Sequence, residues 1–295
     1  MGRTSEQGSL HQQRKIRSSD LTRSLIGIFD SGVGGLSVLR AIRQQLPGES
    51  LLYLADQAHV PYGSRPLEEV CLFSWAITRY LLSKGARLIV LACNTASAAA
   101  LQYLRQTFPQ VPFVGMEPAV KPAAESTQSG VVGVLATPAT FQGALYASVV
   151  ERFAQGVTLL QHTCPGLVAQ IEAGHLDAPE ARRILENALQ PMLAQGIDTV
   201  VLGCKHYPFV IPLIQDIVGP AVRVVDPAPA VARQVGRVLE AQGTKYLDRE
   251  PGEVIYSTTG DPDQMKALLP RLVGEEGDVR HLEWVAERDL IEVKS

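Results

Sequence analysis

Cysteine and long apolar runs are scarce in this sequence, and each scarcity excludes a class of protein. Only four of the 295 residues are cysteine, and none belongs to a C-x-x-C pair. We therefore expect free thiols in a reducing compartment rather than a disulfide-stabilised fold. No apolar run reaches the roughly 18 residues that a membrane-spanning helix needs. These absences predict a cytoplasmic protein without membrane contact.

An excess of either charge is also lacking. The formal net charge at pH 7 is only −3, which is typical neither of nucleic-acid binding nor of attachment to anionic membranes. The first 24 residues are polar and lack the apolar centre of a signal peptide. Residues 1–24 are therefore predicted to be a disordered tail. Small molecules are the expected partners.

The remaining sequence is a regular alternation of strand-like and helix-like segments. Apolar, β-branched runs such as SLIGIFD, SLLYLAD and RLIVLAC alternate with amphipathic runs such as LSVLRAIRQQL. With 46% hydrophobic residues the chain can bury a large core. Short connections bearing Gly, Pro and Asp favour parallel sheets covered by helices on both faces. The sequence therefore predicts an α/β fold.

The alternation also repeats itself. LIVLACNTAS carries Cys93, and TVVLGCKHYP carries Cys204 111 residues later. IGIFDSG at Ile26 is matched by VGVLATP at Val132, an offset of 106 residues. Two similar offsets in the same order predict two pseudo-symmetric, doubly wound domains with mainly parallel sheets. Because ligands of open α/β sheets bind beyond the carboxyl ends of the strands, both cysteine loops are expected to face one interdomain active-site cleft.

The repeat also suggests the domain boundaries. Residues 25–115 together with 226–270 are predicted to form the first domain, and residues 116–225 the second. The returning segment contains the strand-like run EVIYSTTG. Residues 271–295 are charged and weakly patterned, and are interpreted as a C-terminal extension.

The two cysteines at strand ends are candidates for acid–base chemistry. A buried cysteine most often serves as a small apolar residue, and Cys71, within a helical pattern, fits that interpretation. Cys93 and Cys204 are harder to explain so, because two thiols opposed across a cleft can remove a proton from one face of a carbon and return one to the other. A thiol, with a pKa of roughly 8.5 when free, suits this task if helix N-termini or cations lower that pKa.

Neighbouring residues offer partners for each thiol. His206 flanks Cys204, and Asp30, in the glycine-rich turn DSGVGG, is a candidate proton partner for Cys93. That turn is also suited to holding an anion through its backbone N–H groups, and Asp30 is equally suited to a simple turn or cap role.

Two other roles for the cysteines stay open. A disulfide switch between Cys93 and Cys204 would block the cleft. A metal site is disfavoured because HTC and CKH pair thiol and imidazole at tighter spacing than zinc sites use. The sequence contains no dinucleotide fingerprint, pyridoxal-phosphate lysine context or serine nucleophile elbow. We expect neither a cofactor nor a metal.

The motifs together resemble the glutamate racemase family. DSGVGGLSVL, YLADQAHVPYG, LACNTAS, VGVLATPAT, TCPGLVAQIEAG, GCKHYP and STTGDP occur in the family's order and cover the chain from about Ile26 to Gly260. The resemblance implies two α/β domains with the active site between them, and cofactor-independent interconversion of L- and D-glutamate that supplies D-glutamate for peptidoglycan. A homodimer is expected.

The resemblance also implies roles for individual residues. Cys93 would deprotonate D-glutamate and Cys204 L-glutamate. Asp30 and His206 would assist these thiols, and Glu172 would orient the histidine. The two carboxylates of glutamate form strong hydrogen bonds with polar side chains and backbone N–H groups. The positions implied to contact substrate are Asp30, Ser31, Tyr62, Gly63, Asn94, Thr95, Thr137, Thr140, Lys205 and His206.

One residue departs from the family pattern. Lys205 stands where the family has threonine, in GCKHYP instead of GCTHYP. A lysine could attract a carboxylate and depress the thiol pKa, or it could repel the substrate ammonium or fill the pocket. In the latter case Lys205→Thr would improve glutamate turnover. Two alternatives therefore stay open, a racemase of aspartate or another small amino acid, and a non-catalytic amino-acid-binding or regulatory relative.

Overall fold

Apolar, largely β-branched runs form two sheets in the computed structural model, which describes residues 25–116, 119–246, 251–286 and 289–293. The predicted tail, residues 1–24, lies outside the described residues. The strands of these ranges are β1 (Leu25–Asp30), β2 (Leu51–Ala55), β3 (Ala86–Leu91), β4 (Phe113–Val114), β5 (Val131–Leu135), β6 (Thr158–His162), β7 (Thr199–Leu202), β8 (Arg223–Val225), β9 (Val254–Thr258), β10 (Val279–Ala286) and β11 (Asp289–Glu292).

Helices connect these strands, as the predicted alternation requires, and the helix after β9 is not among the predicted elements. In the helix after β8, apolar residues recur every four positions, so that Val231, Val235 and Leu239 share one face, and all three are buried. The helices of the described ranges are α1 (Leu36–Gln45), α2 (Leu67–Ser83), α3 (Asn94–Thr107), α4 (Val120–Ser126), α5 (Pro138–Gln142), α6 (Ala144–Phe153), α7 (Leu167–Glu172), α8 (Pro179–Ala194), α9 (Ile211–Val218), α10 (Ala228–Ala241) and α11 (Pro262–Leu272).

The two sheets share one strand order. In the described ranges, the first sheet runs β11-β10-β9-β2-β1-β3-β4 and the second β6-β5-β7-β8. The segment β2-β1-β3-β4 corresponds strand for strand to β6-β5-β7-β8, and all of these pairs are parallel. Cys93 follows β3 and Cys204 follows β7 by two residues each. The predicted α/β class and the predicted internal repeat both agree with this arrangement.

The C-terminal part of the chain returns to the first sheet. β9 pairs with β2 in parallel, as expected for EVIYSTTG. The predicted extension, residues 271–295, contributes β10, parallel to β9, and β11, antiparallel to β10. We call the elements around the seven-stranded sheet the first unit and those around the four-stranded sheet the second unit; the domain boundaries proposed above stay a prediction.

A shared apolar core holds the two units together. One continuous cluster of buried side chains contains residues of both sheets, among them Ile28 of β1 and Leu202 of β7. Both residues are fully buried, as is typical of parallel strands covered on both faces. The ends of β1, β3 and β7 are thereby held near one another. Within the described ranges, no helix has the length and apolar character that a bilayer crossing demands.

Candidate active site

A small cavity lies between the two units, beyond the carboxyl ends of their strands. Its volume is about 60 Å³, and it takes residues from both units. The carboxyl-end position is the one that open α/β sheets use for ligands. The lining residues are Asp30, Ser31, Val60, Pro61, Tyr62, Gly63, Cys93, Asn94, Thr95, Thr137, Thr140, Val168, Gly203, Cys204, Lys205 and His206.

Both strand-end thiols are in this lining. Cys93 caps the N-terminus of α3, where its Sγ accepts a hydrogen bond from the backbone N–H of Ala96 at 3.5 Å. Burial and the neighbouring Asp30 carboxylate raise the pKa of the Cys93 thiol, and they outweigh the backbone donor. Without a ligand, Cys93 therefore holds its proton at neutral pH.

Asp30 lies beside Cys93 at the end of β1. Its Oδ2 accepts a hydrogen bond from the N–H of Gly35 at 2.8 Å, within its own strand-to-helix turn. Burial raises the pKa of Asp30, and the charge of His206 and the Gly35 hydrogen bond oppose that rise. A carboxyl group with a raised pKa next to a thiol is suited to exchanging a proton with it.

Cys204 has a different partner, an imidazole–carboxylate pair. Its Sγ lies 3.7 Å from Nδ1 of His206, whose Nε2 lies 2.5 Å from Oε1 of Glu172. Glu172 ends α7 and lies outside the cavity lining, so it contacts the histidine from behind. Since the carboxylate holds the proton of Nε2, the ring presents Nδ1 to the thiol.

The charges of this pair support each other. Burial alone would lower the pKa of His206, but Cys204 and Glu172 raise it well above its usual value. Burial would raise the pKa of Glu172, but its contacts with His206 and the donors from Val33 and Gln57 bring it below its usual value. His206 is therefore an imidazolium and Glu172 a carboxylate at neutral pH.

The glycine-rich turn DSGVGG provides space for the His206–Glu172 pair. A Cβ at Gly32 would lie 2.2 Å from Oε1 of Glu172, and one at Gly34 would lie 2.7 Å from Nδ1 of His206. The N–H of Val33 donates to Oε1 of Glu172 at 2.9 Å. The turn therefore binds carboxylates of the chain itself, Asp30 and Glu172, rather than the free anion that its sequence suggested.

Two buried polar groups of the lining have no hydrogen-bond partner among the described residues, Nζ of Lys205 and Oδ1 of Asn94. The amide nitrogen of Asn94 donates to the carbonyl of Gly203 at 2.5 Å, which fixes the direction of Oδ1. Burial lowers the pKa of Lys205 to about 8. Since buried polar groups are nearly always satisfied, this donor and this acceptor are suited to a polar ligand.

The other predicted contact residues are ordered by neighbours around the cavity. The hydroxyl of Tyr62 donates to Oδ2 of Asp56 at 2.6 Å, and the hydroxyls of Thr137 and Thr140 lie 3.0 Å apart. Ser31, Gly63 and Thr95 also lie in the lining.

Sequence reasoning missed several residues. Val60, Pro61, Val168 and Gly203 complete the lining. Asp56, fully buried beneath Tyr62, accepts hydrogen bonds from several side chains. Asp56 ends the run SLLYLAD much as Asp30 ends SLIGIFD, and that likeness was an available signal.

The remaining two cysteines lie outside the cavity lining. Cys71 is half-buried in α2, and Cys164 is buried in the core, where burial raises its pKa to about 12. All four thiols are free. Among the described residues, no group of three or more His, Cys, Asp or Glu side chains is arranged to hold a metal ion.

Comparison with known proteins gives one family. The model of the Asp/Glu/hydantoin racemase family matches residues 26–235. A glutamate racemase from Roseiflexus sp. (strain RS-1) is 51% identical over 255 residues, which is 86% of this chain and 94% of that protein. One from Ectopseudomonas mendocina is 52% identical over 255 residues, covering 86% and 96%.

Solved structures agree with the sequence comparison. A glutamate racemase isoform from Bacillus anthracis matches with a TM-score of 0.78 at 31% identity, over 88% of this chain and 97% of that one. The Escherichia coli glutamate racemase, solved with L-glutamate and the activator UDP-MurNAc-Ala, matches with a TM-score of 0.76 at 32% identity, over 87% and 97%. The chain belongs to the Asp/Glu/hydantoin racemase family, a family of isomerases.

Proposed function

We propose that this protein interconverts L- and D-glutamate without a cofactor, by proton transfer between two cysteines. The observation that carries the proposal is that Cys93 and Cys204, from equivalent strand ends of the two units, line one cavity. Each thiol has a proton-exchanging partner beside it. Glutamate is the substrate named for relatives that share half of the sequence.

The reaction begins at the Cys204 side for L-glutamate. The thiolate of Cys204, next to the His206 imidazolium, takes the α-proton, and the electron pair of the broken C–H bond stays on the substrate as a carbanion. The α-carbon is a weak acid, so the enclosed cavity must stabilise the developing charge with fixed donors. The threonines and the backbone N–H groups of the strand-end turns supply such donors.

The second half of the reaction uses the opposite thiol. Cys93 gives its proton to the other face of the carbanion and becomes a thiolate, and D-glutamate leaves. The raised pKa of Cys93 suits it to this donor role. The reverse reaction starts with Cys93 as the base, and Asp30 is placed to accept its proton. After a turn from L- to D-glutamate, Cys93 regains a proton through Asp30 and Cys204 loses the proton it took, and this exchange returns the enzyme to its starting state.

The proposed product indicates a role in the cell. D-Glutamate is a component of peptidoglycan, so we infer that the reaction supplies cell-wall synthesis and supports cell shape. A cavity with a thiol from each unit suits a small amino acid, and the proposed reaction needs no nucleic acid or membrane. Assembly as a homodimer stays a prediction, which light scattering of the purified protein tests.

Incubation in deuterium oxide tests the proposal. The purified protein, with no added cofactor, should exchange the α-proton of L-glutamate for deuterium and form D-glutamate, followed by proton NMR and circular dichroism. L-Aspartate is the comparison substrate, and faster exchange with it would replace glutamate by aspartate in the proposal. Binding of glutamate with no exchange of the C–H bond would leave a non-catalytic binding protein.

A further inference from the structure

Lys205 is an unusual residue for a cavity of this kind. The residue is 3% exposed, it lies in the lining, and its Nζ has no hydrogen-bond partner among the described residues. A buried ammonium without a partner is costly, so the position calls for an anionic ligand. The second cation of the lining, His206, already has Glu172 as its partner.

We propose that the Lys205 ammonium binds the side-chain carboxylate of an acidic amino acid and so determines substrate specificity. The inference deepens the proposed glutamate racemisation and rests on it for the identity of the ligand. Lysine can pair with a carboxylate as a strong, charge-assisted donor. The neutral acceptor Oδ1 of Asn94 and the Asp30 carboxylate, which line the same cavity, are suited to the substrate ammonium.

The two carboxylates of an acidic amino acid differ in their distance from the reacting carbon. Among the charges that favour the ammonium form of Lys205, that of Asp226, which is outside the cavity lining, has the largest effect. The reacting α-carbon must lie within roughly 3–3.5 Å of the thiols, and the α-carboxylate is one bond away from it. The side-chain carboxylate can extend further.

Replacing Lys205 with methionine tests the proposal, because methionine has a similar length and no charge. The second-order rate constants for α-deuterium exchange are measured with glutamate and with glutamine, whose side-chain amide is neutral. We expect Lys205→Met to lower the constant for glutamate about 10- to 100-fold, mainly through KM, and to change that for glutamine less than about threefold. Lys266→Met, at an exposed pair with Asp278, is the control for loss of charge.

The pH profile gives a second readout. The lysine is charged below its pKa of about 8 and neutral above it. For the wild type, kcat/KM for glutamate should therefore fall as the pH rises through about 8, and this fall should be missing in Lys205→Met. Circular dichroism and thermal unfolding establish that the variant is folded.

Three results would overturn the proposal. Equal losses with glutamate and glutamine would assign the lysine to the α-carboxylate or to the architecture of the site. Unchanged glutamate kinetics would remove it from binding. Faster turnover in Lys205→Thr would show that the lysine merely obstructs the pocket. If the wild type exchanges no α-proton, the proposed function fails instead, and calorimetric binding of glutamate to wild type and Lys205→Met then tests the lysine by itself.

Discussion

The two thiol sites occupy equivalent places in the two units, yet their surroundings differ. Asp30, the partner of Cys93, is held by the backbone of its own turn, through Gly35. Glu172, which orients the partner of Cys204, is held by Val33 and Gln57 of the other unit, at 2.9 and 3.1 Å. The Cys93 site is therefore complete within the first unit, whereas the Cys204 site needs both units in contact.

The difference extends to charge. The Cys93 site has an anionic partner, which raises the pKa of the Cys93 thiol, and the Cys204 site has a cationic partner, His206. A symmetric duplication has thus acquired one acidic and one basic environment around a common cavity. Two thiols with opposite surroundings are suited to opposite tasks in the same proton transfer.

The largest expected effect comes from removing each sulfur separately. Cys93→Ser and Cys204→Ser should each lower racemisation by about 1,000-fold, since a positioned acid or base contributes roughly 10²- to 10⁴-fold. Cys93→Ser should suppress exchange starting from D-glutamate more, and Cys204→Ser exchange starting from L-glutamate. Proton NMR in deuterium oxide measures both, and Cys71→Ser, outside the cavity lining, is the matched control. Identical losses from both enantiomers in both variants would contradict this division of tasks.

The next effect is one on stability and concerns Lys205, a cation that follows Cys204 and has no counterpart beside Cys93. Burial lowers the pKa of Lys205 from 10.5 to about 8, so the charged form is less stable in the folded protein. At pH 7 this costs about 3 kcal/mol, and Lys205→Met should recover much of it in urea unfolding.

Measuring the free energy of unfolding at several pH values checks that the Lys205 charge destabilises the fold. Between pH 8 and 10.5 the unfolded chain holds a proton on Lys205 that the folded chain has lost. The stability of the wild type relative to Lys205→Met should therefore rise with pH in that window. If the stability advantage of Lys205→Met over the wild type increased between pH 8 and 10.5, the lowered pKa of Lys205 would be contradicted.

A smaller effect is expected from Glu172→Gln, which removes the anion behind His206. The pKa of His206 should fall toward its usual value of 6.5, and kcat/KM for L-glutamate should fall about 30-fold, as estimated from outer partners that orient a histidine. Because the ring then becomes neutral, the loss should be greater at pH 8 than at pH 6. NMR titration of His206 follows the shift, and Glu180→Gln, at an exposed pair with Arg183, is the control.

The smallest of these effects should come from Gly34→Ala. The added Cβ would have to displace the ring of His206, so we expect a loss of roughly 10-fold in proton removal from L-glutamate and about 1–2 kcal/mol in stability. Exchange from D-glutamate should change less. Gly236→Ala, where the new Cβ would meet Leu46 at 3.4 Å, controls for the change of residue type. Equal effects at both positions would count against a specific role for Gly34.

The sequence predicted the features that depend on local pattern. Alternating apolar runs predicted the α/β class, and two offsets of similar length predicted two similar units, although not the order of their strands. Strands β10 and β11 escaped prediction, because this edge of the sheet is half-exposed and carries charged residues, which hide the alternation of a buried strand.

Contacts between distant residues were beyond that reasoning. The bond from Val33 to Glu172 joins residues 139 positions apart, and that from Trp284 to Asp56 joins residues 228 positions apart. Neither hydrogen bond produces a periodic pattern of apolar residues from which it could be predicted. The motif resemblance supplied the residue names of the cavity, but the missing partner of Lys205 is visible only once the surrounding atoms are placed.

The position of β9 has a consequence for synthesis of the chain. β9 lies between β2 and β10, so the first sheet lacks an inner strand until translation has passed residue 258. The four described strands of the second sheet are all present once residue 225 has been added. Since folding follows emergence from the ribosome, the middle of this polypeptide can mature before its beginning does, and the cavity between them is among the last parts to be completed.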